Sequence, residues 1–125
     1  MSRTLQIFLV FLILAPALVT GPSRAVEAPF ERSLLRLSEI LGSLHFLRNL
    51  CGENGDNWRK QMEKLLESEK PDAARRAKFI ASFNRGYRSF EGTYASCTAS
   101  ATEAIARYMK EGEQLSREVA SRYGN

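Results

Sequence analysis

The chain has 125 residues, with 18 lysines and arginines against 14 aspartates and glutamates, one histidine and two cysteines. That length allows one small domain and excludes two packed ones. The first 25 residues hold 15 of the 55 apolar residues and no acid. The 100 that follow have ordinary globular composition and a net charge of only +2, which argues against nucleic-acid binding.

Arg3 precedes an apolar run from Leu5 to Leu14 broken only by Gln6, and Ala15, Ala17, Leu18 and Val19 extend it until Thr20-Gly21-Pro22. A short basic start followed by such a stretch is the pattern of a secretory signal peptide. The run of about 15 residues, with Pro16 inside it, falls short of the roughly 20 needed to span a membrane. Small residues three and one positions before a cut occur at Ser23-Arg24-Ala25 and at Ala15-Pro16-Ala17. Ala25 is preferred over Ala17, because it leaves a usual apolar stretch and a short polar end. Residues 1–25 are therefore read as the signal peptide, and 26–125 as a single helical domain beginning at Val26. No cysteine just after the run could carry a lipid. The expected mature protein has no stable membrane anchor and is periplasmic, with secretion as the alternative.

Beyond Val26 there are two prolines, few β-branched residues and many good helix formers. The first helix is predicted from Pro29 to Cys51, since proline suits a first helical position and Leu34, Leu37, Leu41, Leu44 and Leu47 recur at spacings of three and four. Gly52 ends it. A turn at Glu53-Asn54-Gly55 leads to Asp56 or Asn57 as cap of a second helix, with Trp58, Met62, Leu65 and Leu66 on one side. Pro71 closes that helix and opens the next.

From Asp72 onward no proline occurs, and Phe79, Phe83, Tyr87, Phe90, Tyr94, Cys97, Ile105, Tyr108, Leu115 and Val119 share one sector at helical winding. A single helix would run about 80 Å, longer than a 100-residue domain is wide, so a break is expected. It could fall at Gly86 or after Cys97, where Ser100 with Glu103 fits a capping box; the second is favoured. It places Cys97 beside Cys51 in an all-α fold, a small up-down four-helix bundle following the signal peptide. The final Tyr123-Gly124-Asn125 stops the last helix.

Two cysteines in an exported chain are best read as one disulfide, Cys51 to Cys97. A redox-active pair would need the close Cys-x-x-Cys spacing, which is missing. Zinc wants four ligands, and His45 is badly placed to join Cys51 on one ion. No metal and no cofactor is expected.

Leu50-Cys51, Trp58, Met62, the segment Ser82-Phe83-Asn84-Arg85-Gly86-Tyr87-Arg88-Ser89-Phe90, Tyr94-x-x-Cys97-Thr98 and Arg122-Tyr123 form a pattern. In it the chain resembles a small family of exported proteins of unknown function, found mainly in alphaproteobacteria. The resemblance covers about three quarters of the chain. It implies export and the cysteine pair, and brings no activity and no binding residues with it.

Asn84, Gly86, Tyr87 and Arg88 are the densest cluster of polar and special residues, and form the candidate interaction surface, Tyr87 and Arg88 being anchor types. The competing reading has more weight: Gly86 admits a neighbouring helix, Tyr87 packs in the core and Asn84 satisfies backbone groups. Arg75, Lys78, Arg85 and Arg88 lie opposite the aromatic stripe, as a solvated face rather than a site for anionic lipid or polymer. The row Phe79, Phe83, Tyr87, Phe90 and Tyr94 reads as core before it reads as the lining of an apolar pocket. His45 is the one histidine and has no motif around it, and Glu63, Glu67, Glu103, Glu111, Glu113 and Glu118 lie on amphipathic helices without a catalytic pattern.

The resulting expectation is a non-enzymatic binding or adaptor protein of the cell envelope, meeting an envelope protein or polymer. A stress holdase is the second reading, and an enzyme acting on the envelope polymer with a glutamate and His45 the third.

Overall fold

The computed structural model describes residues 24–122, so the expected signal peptide up to Ser23, and Tyr123 to Asn125, lie outside the described residues. Four helices form: α1 over Arg24–Leu50, α2 over Asn57–Glu69, α3 over Ala73–Glu91 and α4 over Ala99–Ser121. No strand occurs among the described residues. Helix α1 starts five residues ahead of the expected Pro29. Pro29 is then the sixth helical residue, and its missing amide hydrogen costs one backbone bond near the helix start.

The helices alternate in direction. Glu31 meets Arg75 near the start and Phe46 meets Tyr87 near the end of parallel α1 and α3, whereas Arg36 bonds Glu111 and Cys51 bonds Cys97 between α1 and antiparallel α4. Helix α1 is the axis of the fold: α2, α3 and α4 each pack on it and touch one another little, the α1–α3 contact being the most extensive. Two apolar clusters succeed each other along α1. Leu34, Leu37 and Leu41 join Met62, Leu66, Phe79 and Val119. Ile40, Leu44 and Leu47 then join Ala101, Ala104 and Ile105.

Glycine makes the α1–α3 contact possible. A Cβ on Gly86 would lie 2.0 Å from the carbonyl oxygen of Glu39, and one on Gly42 would lie 1.9 Å from that of Phe83. The two backbones therefore touch without a side-chain layer between them, an approach that only glycine permits. Buried Ser38 and Ser43 on α1 turn their hydroxyls back to Leu34 and Glu39 carbonyls, each at 2.9 Å. Their polar atoms are thereby satisfied within α1 itself.

Both ends are fastened. Cys51 and Cys97 form a disulfide with Cα atoms 5.0 Å apart, which ties the end of α1 to the start of α4. At the other end Arg75 bonds Glu31 and Glu69, and Arg122 bonds Glu69 through both carboxylate oxygens at 3.0 Å. The Glu69 side chain is only 2 % exposed. Arg75 also stacks over Phe79 and Arg122 over Phe30.

The connections are local. Asn49 accepts from the Gly55 amide at 3.0 Å and donates to the His45 carbonyl at 2.7 Å, clamping the α1–α2 turn. Asp56 caps α2 by position, without a side-chain bond. Lys70 turns left-handed at φ 44, and Asp72 caps α3 by accepting from the Arg75 amide at 2.8 Å.

The break between α3 and α4 occupies residues 92–98. It corrects the expected cap: Thr98, not Ser100, accepts from the Ala101 amide at 3.1 Å, and Glu103 makes no capping box. Since α3 has already stopped at Glu91, the first suitable oxygen serves. Gly86 is no break but lies buried in mid-helix.

Candidate functional site

Because α2 packs on α1 and barely on its neighbours, a depression lies along each of its sides. The one toward α3 is a cleft of about 460 Å3. His45 of α1 faces Phe83 and Tyr87 of α3, with ring centroids 5.9 and 5.7 Å away. Met62 and Leu66 of α2 and Ile80 of α3 add apolar surface, while Arg59, Glu63, Arg76 and Asn84 supply polar groups. Arg59 and Arg76 form no ion pair among the described residues.

Burial pushes the His45 imidazole below its ordinary value of 6.5; Asp56 works against that shift and Arg59 with it. At neutral pH the ring is uncharged, and the Asn49 amide lies 3.4 Å from Nδ1. The cleft thus offers a neutral imidazole, two guanidinium groups against the single carboxylate of Glu63, a carboxamide and aromatic faces, a net positive lining. This set suits an anionic group joined to an apolar or planar part.

The second depression, between α2 and α4, is an open groove of about 740 Å3. Leu37, Ile40, Leu41 and Leu44 of α1 form its floor, Trp58 and Leu65 belong to the α2 wall, and Met109 and Val119 to the α4 wall. The indole nitrogen of Trp58 is buried and has no hydrogen-bond partner among the described residues.

The four residues of the expected interaction surface separate. Asn84 and Tyr87 line the His45 cleft, with Asn84 exposed and Tyr87 half-buried. Arg88 is exposed outside the cleft, in a shallow depression with Ala81, Arg85 and Ser89 that Asn84 also borders. Gly86 is not on a surface at all, because its place is taken by the α1 backbone.

The expected cationic face also changes. Lys78, Arg85 and Arg88 are exposed, but Arg75 is drawn inward by Glu31 and Glu69. Of the aromatic row, Phe79 is fully buried, Phe83 and Tyr87 wall the cleft, and Phe90 stacks on Tyr94. Of the carboxylates, Glu111 binds Arg36 with both oxygens and Glu113 pairs with Arg117, while Glu63 alone reaches the cleft. Arg59 and Arg76 carry no signal in the sequence, since only the packing of α2 and α3 on α1 brings them together.

Residues 29–123 match the family described as "Protein of unknown function (DUF2385)". The chain belongs to this family. As a DUF2385 member it inherits no activity, ligand or residue role, in keeping with the uncharacterised family that its sequence pattern resembles. No curated protein and no solved structure matches it. Among the described residues no group of three or more histidines, cysteines or acids is placed to hold a metal ion, and no helix is long and apolar enough to cross a membrane.

Proposed function

We propose that this protein is an exported, non-enzymatic binding module that works in the periplasm and holds an anionic group of an envelope partner in the α1–α2–α3 cleft. The observation that carries this reading is the convergence of Arg59, Arg76, Asn84, Tyr87 and His45 from three helices on one depression, with neither arginine in an ion pair among the described residues. Arg59 and Arg76 take the anion, Asn84 adds an amide, and the Phe83 and Tyr87 rings carry the adjoining apolar part. Neutral His45 serves as a hydrogen-bonding wall rather than a fixed charge.

Cross-linking in the envelope with the oxidised protein tests it. One main partner is expected, lost in Arg59→Ala/Arg76→Ala and in Tyr87→Ala, and kept in Arg88→Ala because that side chain lies outside the cleft. A broad set of weak clients, captured equally by all variants, would replace this reading with the holdase. Loss of the cellular role in His45→Ala with partner capture intact would favour the enzyme.

A further inference from the structure

We propose that the α2–α4 groove is a second site, independent of the His45 cleft, that binds the chain of an anionic single-tail amphiphile such as a fatty acid or an alkyl phosphate. Its volume, about 740 Å3, falls in the small-molecule range of about 300–1,000 Å3. A stable protein partner takes about 800 Å2 from each surface, far more than this groove exposes. Its floor of α1 leucines and isoleucine on successive turns suits a hydrocarbon tail, and Met109, one of two exposed large apolar side chains among the described residues, lines it from α4.

The charges at the rim select the headgroup. Four ionic side chains line the groove: Lys64 and Glu69 from α2, Lys110 and Glu113 from α4. Both acids are neutralised within the protein, Glu69 by Arg75 and Arg122 and Glu113 by Arg117 at 2.7 Å. Neither lysine has an ion pair among the described residues. What the groove presents is therefore an apolar trough with two uncompensated positive charges, one on each wall. A carboxylate or phosphate head between them completes the charge balance while its tail covers the floor.

Trp58 is the single tryptophan of the chain and lines this groove, so its fluorescence reads occupancy directly. The oxidised protein is titrated below the micelle threshold with laurate, dodecyl phosphate and dodecyl maltoside, which share one tail and differ in head. The expected result is a saturable change at one molecule per chain for both anions, with the maltoside at least tenfold weaker. Lys64→Glu/Lys110→Glu should weaken the anions at least tenfold and leave the maltoside unchanged. Ala120→Phe, which fills the groove from an exposed position on α4, should abolish all three with far-ultraviolet circular dichroism preserved.

Equal binding of the three probes, indifferent to the lysines, would overturn the headgroup assignment. Loss of laurate in Arg59→Ala/Arg76→Ala but not in Ala120→Phe would move the ligand to the other cleft. No saturable change with any probe would overturn the site itself. A dimer in sedimentation that Ala120→Phe abolishes, with laurate inert, would give the groove to a second copy of the chain.

Discussion

Helices α2 and α3 both lie on α1, and they are seated in opposite ways. Helix α3 comes down backbone to backbone through Gly42 and Gly86, and leaves no space between. Helix α2 stands on a layer of side chains, chiefly Met62 and Leu66, and leaves a cavity on each flank. The difference divides the labour of a 125-residue chain. The glycine seam fixes a scaffold, and the side-chain seat provides the concave surface that recognition needs.

The largest effect should come from the covalent tie that frames both helices. Cys51→Ser/Cys97→Ser frees a loop of 46 residues and should lower stability by about 4 kcal/mol in urea unfolding, on the chain-entropy estimate. If the loss were under about 1 kcal/mol, the seam alone would be holding the scaffold. Next, Gly86→Ala sets a methyl against the Glu39 carbonyl and should cost about 3 kcal/mol, forcing α3 off α1. A neutral Gly86→Ala would break the contrast outright, because α3 would then have slack like that of α2.

Met62→Ala should cost about 2 kcal/mol, by transfer and cavity together. Its distinguishing result is in hydrogen exchange: amides of Asn57–Glu69 should speed up while those of Ala73–Glu91 keep their protection. Uniform acceleration would mean that the two helices open as one unit.

Two smaller effects sharpen the picture through pH. His45 has its pKa lowered in the folded state, so the unfolded chain takes up the proton first. Stability should therefore fall as pH drops below about 6.5, and His45→Gln should flatten that slope. A slope of the opposite sign would mean that the cleft stabilises the charged ring. On α4, the Arg36 guanidinium holds the Glu111 carboxyl below its ordinary value of 4.5. That contribution is present above the unfolded value and lost as pH falls through the folded one. Because both side chains are more than a third exposed, Glu111→Gln should cost less than about 1 kcal/mol near neutral pH, read by thermal melting.

Much of the scaffold is legible along the chain. The leucine spacing of α1, the Pro71-Asp72 boundary and the cysteine pairing each follow from local pattern or from compartment logic, and the structure carries all three. The end of α3 is less so, because Gly92 and Thr98 compete with equally plausible caps at Gly86 and Ser100. Which oxygen caps a helix depends on where the preceding element has already stopped.

The site was legible only by halves. Asn84 and Tyr87 stand out as unusual residue types in mid-helix, and both reach the cleft. Arg59, Arg76 and the glycine facing Gly86, Gly42, are ordinary by composition. Their meaning comes from partners brought close only by tertiary packing. Arg75 shows the same limit in reverse: helical winding puts it on the solvated face, and long side chains on α1 and α2 reach round to claim it.

Glu69 gives α2 a particular mechanical character. Its carboxylate is shared by Arg75 of α3 and Arg122 just past α4, so the lower end of α2 is pinned between both neighbours, while its upper end hangs from the Asn49 clamp on a six-residue turn. Held at both ends and seated in the middle by Met62 and Leu66, α2 is a fixed partition, and each trough beside it keeps its own walls whatever fills the other.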